Sequence, residues 1–435
     1  MDLLAAPPEA LVEKLKAVGG RGYIISQGGE LLASDPCLED IAAMLRADTR
    51  DYLDHEGLFF CVGARSNALL GAFIHRTVRG QAAGGLRHWP YPTVEAFVRD
   101  GLRLALAMTR KNALSGLWWG GGKGIICRGL DSDYQNDHYR ETLYAEYGEF
   151  VSSLRGSYIT AEDAGTTPSD IMKVFSKTRF TTCVAPHAGG SGNPSGPTAR
   201  GVLSAMEAAL EHLDQGTLKG KRIAMQGAGN VAKFMIEGLI ERGVEQVIAT
   251  DIDSDRVALL RKVFDGKQVK LHVSQIGDLQ IFSEPCDIFV PNALGGVLNP
   301  DTIPLIQAKI VCGAANNQLL HDMRDITALE AQGITYVPDF LCNRMGIVHC
   351  ANEQYGQVPG DPNIERHLGR TWENSIFLIT KRVLAAAVQE ATSTSTAANQ
   401  LADTLSLDPH PLWGHRGKQI IAGLVKDNWH TQLKA

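Results

Sequence analysis

Residues 221–253, KRIAMQGAGNVAKFMIEGLIERGVEQVIATDID, contain the pattern that decides the fold. The run Arg222–Gln226 ends at a glycine turn and predicts a strand, and the stretch after the glycines has the apolar spacing of a helix. The next apolar run predicts a second strand that ends at Thr250. A strand, a helix and a second strand in this order are typical of a parallel α/β sheet.

The turn between the first strand and the helix has the sequence GAGNVA, a GxGxxA pattern. Gly227 permits the tight turn, Gly229 lets the backbone approach a pyrophosphate, and Ala232 lets the helix pack closely on the strand. Asn230 and Val231 would open the helix, whose N-terminus favours phosphate groups. The turn therefore predicts a dinucleotide-binding site.

An acidic residue follows at the distance that this site requires. Asp251 stands 22 residues after Gly229, at the end of the second strand, where a carboxylate can bind a ribose 2′-hydroxyl. Because a carboxylate repels a 2′-phosphate, the sequence favours NAD over NADP as cofactor. The alternative is an aspartate that only forms a turn or caps a helix.

Two later segments predict further strands of the same sheet. Residues 286–300 and 310–320 each have an apolar run that ends in a polar loop, the place where an open parallel sheet binds its ligand. Asn316 and Asn317 are therefore predicted to lie beside the cofactor. The alternative is that both are ordinary loop asparagines.

Composition limits the class of protein. The chain has 435 residues, which favours two domains, and its formal net charge of −6 without a basic run does not support binding to nucleic acid or anionic membranes. No stretch approaches the roughly 18 apolar residues of a membrane span. The eight cysteines lack the spacing of a zinc site. We expect a cytoplasmic protein with reduced thiols and no metal.

The glycine-rich segment at residues 116–126, GLWWGGGKGII, places Lys123 on backbone with few side chains. A phosphate loop is excluded, because GxxxxGK[ST] fails at Leu117 and Gly124. Trp118 and Trp119 would exclude water, and desolvation would lower the pKa of the lysine toward the range useful for a general base. The alternative is a surface lysine that lies over tryptophan.

Two further polar residues accompany this lysine. The helical pattern of residues 96–116 carries Lys111 near its end, and the run SYITAEDAGTTPSD at 157–170 places Asp163 where a strand passes into a loop. In isolation, Asp163 is more typical of a helix cap or turn than of a catalytic residue. Lysines, an aspartate and NAD together suggest oxidation at a carbon that bears a charged group.

Taken in order, these segments resemble the motifs of the glutamate/leucine/phenylalanine/valine dehydrogenases, and the resemblance runs from about His55 to Val348. It is carried by GGLRHW (84–89), MTRKNALSGLWWGGGKG (108–124), YITAEDAGTT (158–167), SGNPSGPTA (191–199), QGAGNVA (226–232), ATDID (249–253), PNALGGVLN (291–299) and GAANNQL (313–319). The resemblance implies NAD(P)-dependent, reversible oxidative deamination of an L-amino acid to a 2-oxo acid and ammonia, with a cleft between two domains.

The resemblance also implies a role for each matching residue. Lys111 would bind the substrate carboxylate, Lys123 would activate the water that attacks the imine, and Asp163 would move protons to and from the amino group. The residues that would line the substrate site are Gly84, Gly121, Gly122 and Asn343. Those that would join the glycine turn at the cofactor site are Thr198, Ala293, Asn316 and Asn317.

The substrate side chain is predicted to be apolar. Where glutamate dehydrogenases have a lysine that binds the side-chain carboxylate, this chain has Ala83, and the 28 residues from Ala83 to Lys111 match the leucine and phenylalanine branch. A carboxylate without an opposing cation would be costly to desolvate. Ala161, with Leu368 and Thr371 from a later helix, would leave room for a branched or aromatic side chain.

One segment departs from the family pattern. The family has asparagine followed by small residues, whereas this chain has Asn343, Arg344, Met345 and Gly346. Arg344 would bind an acidic group of an unusual substrate, pair with a carboxylate for a structural reason, or obstruct the pocket. A catalytically silent NAD-binding regulatory protein is the alternative of a different class.

We therefore predict a two-domain α/β protein with a Rossmann-like, doubly wound domain. Residues 1–195 would form the substrate-binding and oligomerisation domain, 196–345 the NAD-binding domain, and 346–435 a helical segment that returns to the first domain. The Gly/Pro/Ser-rich stretch 188–201 marks the boundary, and residues 1–50 form an extension of unknown role that contains a predicted hairpin. We expect a loop at 391–400, a closing helix in the tail, and a homo-oligomer.

Overall fold

The strands form two sheets in the computed structural model, which describes residues 2–129, 133–356 and 358–432. The chain divides into two compact units. Unit 1 comprises the described residues of Met1–Gly192, Cys350–Gln357 and Asp403–Ala435; unit 2 comprises those of Asn193–His349 and Val358–Ala402. The predicted domain ranges stay a prediction, since the two units are defined by packing alone.

Unit 1 is built on a mixed sheet with the strand order β2-β1-β3-β4-β7-β5-β8, and β6 pairs with β7. Its strands are β1 (Arg21–Gln27), β2 (Glu30–Ala33), β3 (Gly57–Val62), β4 (Leu69–Arg76), β5 (Ala82–Ala83), β6 (Leu86–Trp89), β7 (Gly120–Cys127) and β8 (Tyr158–Ile159). Its first helices are α1 (Pro8–Ala17), α2 (Glu39–Ala47), α3 (Val94–Leu114), α4 (Asp137–Ser153) and α5 (Pro168–Phe175). Strands β1 to β4 and β7 pair antiparallel, whereas β5 is parallel to β7 and β8.

The first 50 residues are an integral part of this sheet. The predicted hairpin is confirmed, since β1 and β2 pair antiparallel with Gln27 opposite Glu30. Strand β1 also pairs with β3, so the hairpin extends the sheet at one edge. This role was not evident from the sequence, because the partner strand β3 lies about thirty residues further along the chain.

Both faces of the unit 1 sheet are covered, and alternate residues of β7 point to opposite sides. Ile125 packs with Phe97 and Leu102 of α3 on one face. Ile126 packs on the other face with Tyr147 of α4 and with Trp429. The tail of the chain thus contributes to the core of unit 1. The predicted closing helix is confirmed as α15 (Arg416–Lys426).

Unit 2 contains a parallel sheet with the strand order β11-β10-β9-β12-β13-β14. Its elements are α6 (Ser195–His212), β9 (Arg222–Gln226), α7 (Asn230–Glu241), β10 (Gln246–Asp251), α8 (Ser254–Val263), β11 (Val269–Val273), β12 (Ile288–Pro291), β13 (Ile310–Val311), α9 (Asp322–Ala331), β14 (Thr335–Tyr336), α10 (Asp339–Cys342), α12 (Pro362–Glu365) and α13 (Ile376–Gln389). In sequence order this is 3-2-1-4-5-6, the arrangement of a doubly wound dinucleotide-binding sheet. The predicted fold class is therefore confirmed.

Two helices run across the limits between the units: α11 (Met345–Asn352) and α14 (Thr394–Leu405). Single 3₁₀ turns occupy Pro36–Leu38, Pro186–Ala188, Gln280–Ser283, Ile303–Leu305, Glu353–Tyr355, Arg366–Leu368 and Trp429–Thr431. Among the described residues, no helix has the length and apolar character needed to cross a membrane.

One local prediction was wrong. The polar stretch 391–400 is mostly helical, because the Ser393 hydroxyl accepts a hydrogen bond from the Thr396 amide at 3.0 Å and caps α14, whose alanines favour a helix. The stretch 188–201 is irregular only in its first half, since α6 begins at Ser195. Polar composition alone did not reveal these helix starts.

A carboxylate anchors the loop after α2 to α3. Asp51 is buried and accepts hydrogen bonds from Arg50 at 2.9 Å, Arg99 at 2.7 Å and Arg103 at 2.8 Å. Burial alone would raise the pKa of Asp51, but hydrogen bonds from Arg103, Arg50 and Arg99 outweigh burial and hold that pKa well below its usual value. This cluster joins one end of the N-terminal segment to the helix that carries Lys111.

We predict that Asp51→Asn lowers the free energy of unfolding at neutral pH by about 2–3 kcal/mol, because three charged hydrogen bonds are weakened. With its pKa lowered on folding, Asp51 stabilises the protein fully above an unfolded pKa of about 4 and loses this contribution as the pH falls below that value. Urea unfolding followed by tryptophan fluorescence should therefore show a smaller acid-induced loss in the variant than in the wild type. Asp54→Asn, at an exposed position, is the control; identical acid dependence in all three proteins would contradict the prediction.

Candidate active site

The glycines before and after Lys123 allow other parts of unit 1 to approach β7 closely. A Cβ on Gly121 would lie 2.1 Å from the Thr109 amide nitrogen of α3. A Cβ on Gly122 would lie 2.8 Å from the Tyr158 ring, and one on Gly84 would lie 1.9 Å from the Gly122 carbonyl oxygen. The predicted lining of the substrate site by these glycines stays a prediction; their side-chain space is filled by protein.

Lys123 lies on the face of β7 that packs against α3, since Gly121, two residues earlier, faces Thr109. It is only 4% exposed, so the alternative of a surface lysine over tryptophan is wrong. The tryptophans are not equivalent: Trp119 is buried, but Trp118 is 41% exposed and lies under Arg79, with the guanidinium 4.4 Å from the ring centre. Burial of Lys123 thus comes from the sheet and α3.

The structure brings Lys123 and Asp163 together. Lys123 Nζ donates a hydrogen bond to Asp163 Oδ2 at 2.5 Å. Arg87 Nε lies 3.5 Å from the same oxygen, and Arg87 also donates to Asp100 at 3.0 Å. Gly85 lets this happen, because a Cβ there would lie 2.7 Å from Asp163 Cβ. Two residues forty positions apart therefore form one ion pair inside unit 1.

The surroundings keep Asp163 in its charged form. Burial alone would raise the pKa of Asp163, but the positive charges of Lys123 and Arg87 outweigh burial and hold the pKa below its usual value. The side chain is 22% exposed, so a small molecule can reach it. An ionised carboxylate beside a lysine is suited to accept a proton from an ammonium group.

Lys111 lies in the last turn of α3, beside a residue that fixes the position of this helix end. The buried amide of Asn112 donates to the Gly120 carbonyl at 2.6 Å and to the Ala83 carbonyl at 3.3 Å. Ala83 pairs in register with Gly121 and with Ile159. The end of α3 is thereby held against β5 and β7.

Ala83 and Ala161 are both buried. A cavity of about 460 Å³ in unit 1 is lined by Trp119, Ile159 and Phe180 among others, but not by either alanine. Ile159 on β8 is the strand partner of Ala83 on β5, so the cavity lies next to the part of the sheet that contains Ala83. The pocket expected from the two alanines stays a prediction.

In unit 2, the glycine turn follows β9 at the edge of the sheet where β9 lies beside β12. The strand order reverses between these two strands. Gly227 has a φ of 101°, which favours glycine, and a Cβ there would lie 2.7 Å from Ala293 Cβ. Asp251 accepts hydrogen bonds from the Ala228 amide at 2.7 Å and the Asp253 amide at 3.0 Å. Turn, acid and Ala293 are thus brought together, with Asn230 and Val231 in the first turn of α7.

The predicted asparagines also meet in unit 2. Asn343 donates to Asn316 Oδ1 at 2.9 Å and to the Ala314 carbonyl at 3.1 Å. Asn317 has a φ of 53°, and its amide donates to Asp339. These contacts place Asn343 with the residues predicted to bind the cofactor, although the sequence assigned it to the substrate.

Thr198 lies near Gly346, the last residue of the segment 343–346 that departs from the family pattern. Its hydroxyl donates to the Pro194 carbonyl at 2.9 Å, and a Cβ on Gly346 would lie 2.9 Å from the same hydroxyl oxygen of Thr198. The buried Met345 side chain packs on Gly201 of the same helix, α6. Met345 therefore fills the core of unit 2.

Arg344 is also part of that core. Its side chain is fully buried, and it donates to the Asn374 carbonyl at the start of α13. Burial lowers its pKa to about 9. The geometry favours a structural role for Arg344 over recruitment of an acidic substrate.

Among the described contacts, none links Leu368 or Thr371 to the other residues predicted to line the substrate pocket. Leu368 lines a separate cavity of about 250 Å³ in unit 2 with Arg200, Ser204 and Glu365 among others. Thr371 is exposed. Their assignment to the substrate pocket stays a prediction.

Comparison with known proteins places this geometry in a family. Residues 70–180 match the Glu/Leu/Phe/Val dehydrogenase dimerisation domain, and residues 189–405 match the glutamate/leucine/phenylalanine/valine dehydrogenase domain. The chain belongs to this family. It is an amino-acid dehydrogenase, an oxidoreductase acting on CH–NH₂ donors, and the resemblance seen in the sequence is confirmed.

Individual relatives agree with this assignment. The dehydrogenase is 38% identical to a leucine dehydrogenase of Geobacillus stearothermophilus over 351 residues, 80% of this chain and 90% of the relative. It is 35% identical to a phenylalanine dehydrogenase of Caldalkalibacillus thermarum, with 80% and 90% covered. The crystal structure of L-tryptophan dehydrogenase from Nostoc punctiforme matches with a TM-score of 0.66 and 32% identity over 81% of this chain and 96% of that one.

Sequence reasoning missed three polar residues of the dehydrogenase. Arg87 lies inside the GGLRHW motif, and Asn112 directly follows Lys111, so each adjoined a residue already singled out. Arg256 lies in the first helical turn after Asp251, where its Nη1 donates to Asn230 at 3.2 Å. Only the folded chain shows that these side chains turn toward the predicted site residues.

We predict that Gly121→Ala destabilises the dehydrogenase by about 3 kcal/mol, because the added Cβ would overlap the backbone of α3. The matched control is Gly423→Ala in α15, where a Cβ meets no atom within 4 Å and alanine should stabilise the helix by about 0.5–1 kcal/mol. Chemical unfolding of both variants tests this. Equal stability of Gly121→Ala and wild type would show that the close packing of α3 on β7 is not required.

Proposed function

We propose that this dehydrogenase uses NAD to deaminate an apolar L-amino acid oxidatively and reversibly, yielding the 2-oxo acid and ammonia. The observation that carries the proposal is the 2.5 Å contact between buried Lys123 and ionised Asp163 in a member of this family. This pair would supply the two proton acceptors that the reaction needs. It also argues against a catalytically silent protein.

Each residue of unit 1 would have a distinct task. Lys111 would bind the substrate carboxylate, and Asp163 would accept a proton from the substrate ammonium, since Lys123 and Arg87 keep it ionised. After oxidation, Lys123 would first release its ammonium proton to solvent and, as a neutral amine, would take a proton from the water that attacks the iminium carbon. Asn112, which holds the end of α3, would keep Lys111 in position.

The substrate class is supported by the relatives and by the pocket residues. Relatives named leucine, phenylalanine and valine dehydrogenases are 35–38% identical to this chain, and the structural neighbour at 32% identity is an L-tryptophan dehydrogenase. Ala83 places no cation opposite a side-chain carboxylate, and buried Arg344 is engaged with a backbone carbonyl. An unpaired carboxylate would then be costly to desolvate.

The residues of unit 2 fit a dinucleotide. A ligand can approach Gly229, because the space that a Cβ would take meets only the tip of Arg256 at 3.5 Å. Gln226 Oε1 and Asn292 Oδ1, at the ends of β9 and β12, are buried oxygens without a hydrogen-bond partner in the described part of the protein. When bound, the cofactor would accept a hydride from the substrate Cα. We propose NAD, since Asp251 stands where a 2′-phosphate would be repelled.

We also propose that the protein is a cytoplasmic homo-oligomer. Residues 70–180 match a domain described as a dimerisation domain, which supports self-association. All eight cysteines are free thiols, which supports a reducing compartment.

The proposed activity is tested by NADH formation from NAD with a panel of L-amino acids. We expect turnover with at least one of leucine, valine, phenylalanine and tryptophan, and at least a hundredfold lower kcat/KM with glutamate. NADP in place of NAD should reduce the rate. Turnover with glutamate alone would overturn the substrate class, and preference for NADP would overturn the cofactor.

Lys123→Met should lower kcat by about 10²- to 10⁴-fold, the usual contribution of a general acid or base. Binding of NADH, followed by its fluorescence, should stay within about twofold of the wild type, because the lysine lies in unit 1. Lys173→Met, at a partly exposed position in α5, controls for loss of a lysine that pairs with a glutamate, Glu141. Wild-type kcat in Lys123→Met would refute the proposed base.

A further inference from the structure

An arginine lies directly over the glycine turn in unit 2. Arg256 Nη1 is 3.5 Å from the position that a Cβ of Gly229 would occupy, and no other described atom outside the turn and its helix lies within 4 Å of it. The same nitrogen donates to the side chain of Asn230 at 3.2 Å. The positive charge is therefore held at the point where the backbone of a GxGxxA turn approaches a phosphate.

The guanidinium is positioned but still has hydrogen-bonding capacity. A guanidinium has five N–H donors, of which Asn230 receives one. Asp253 Oδ2 lies 3.8 Å from Arg256 Nε, which is too long for a hydrogen bond. The Arg256 side chain is 37% exposed, so a ligand can contact it from solvent. The Asp253 side chain caps α8 by accepting a hydrogen bond from the Arg256 backbone amide at 3.0 Å. This bond fixes the backbone from which the Arg256 side chain extends.

Two acids lie near this charge: Asp253, whose Oδ2 is 3.8 Å from Arg256 Nε, and Asp251, whose hydrogen bonds are made with backbone amides. Asp251 directs one carboxylate oxygen to the Ala228 amide and the other to the Asp253 amide. The N-terminus of the twelve-residue helix α7 adds positive potential beside Gly229. Planar guanidinium groups bind phosphate oxygens in pairs, so an anion is the ligand that this arrangement favours.

We propose that Arg256 binds a phosphate on the adenosine half of the cofactor, an inference that rests on the dinucleotide use proposed above. This phosphate is the 5′-phosphate in the diphosphate bridge, because Arg256 lies beside Gly229 and NAD has no 2′-phosphate. Arg256 thereby sets cofactor affinity without touching the reacting carbon. It is a cofactor-binding residue, not a catalytic one.

The test compares Arg256→Gln with wild type in the full-length protein, using Kd values for NADH and NADPH from fluorescence titration. Adenosine, which has no phosphate, is measured as a competitor of NADH. Arg261→Gln is the matched control, because Arg261 lies on the same helix and donates to the Leu271 carbonyl instead. We expect Arg256→Gln to raise the Kd for a phosphate-bearing ligand at least tenfold, with adenosine and the control variant within twofold.

The two phosphates give different results. Loss of NADH and NADPH affinity together supports binding of the 5′-phosphate, whereas loss of NADPH affinity alone would place Arg256 at a 2′-phosphate and overturn the inference. Unchanged Kd values for both cofactors, or equal loss of adenosine binding, would overturn the inference. Failure of the wild type to bind either dinucleotide would instead refute the proposed function, and the inference with it.

Discussion

Close approach to the bare backbone of β7 is the constraint on which the candidate site depends. The Thr109 backbone fills the space above Gly121, the Tyr158 ring lies against Gly122, and the Tyr147 hydroxyl would be 2.0 Å from a Cβ on Gly124. Both faces of the strand are therefore covered by other parts of unit 1. Lys123, the one long side chain among these glycines, is buried as a result. Asp163 then compensates a charge that would otherwise be costly inside the unit.

Local patterns predicted much of the fold, and long-range contacts account for what they missed. The GxGxxA turn, its strand and its helix follow from residues close in sequence, and β9 occupies the predicted range. The pairing of β1 with β3 and the helix that Ser393 caps depend on partners that composition does not reveal. At the site, the sequence indicated Lys123 and Asp163 separately. Their contact, and the contact of Arg256 with Asn230, could not be predicted because they depend on the directions of the side chains in the folded protein.

The departure from the family pattern after Asn343 shows how a bulky substitution is accommodated. The family resemblance predicts small residues at Arg344 and Met345. Both side chains are buried in unit 2, where Met345 lies against Gly201 and Arg344 donates to the Asn374 carbonyl just before α13. Burying a guanidinium is costly, and its lowered pKa reflects that cost. Asn343 donates a hydrogen bond to Asn316, so it is tied to the loop whose residues are proposed to bind the cofactor.

The core of unit 1 is assembled from distant parts of the chain, and this bears on how the protein is made. Trp429, Leu424 and Ile421 pack with Phe59 and Tyr147, although more than 270 residues separate them in sequence. A ribosome delivers the chain from the N-terminus, so the sheet is synthesised well before the tail that covers one of its faces. During that interval α4 can already pack on this face, but the part that Trp429, Leu424 and Ile421 cover lacks its packing partners. Translation must pass Trp429 before unit 1 can complete this core.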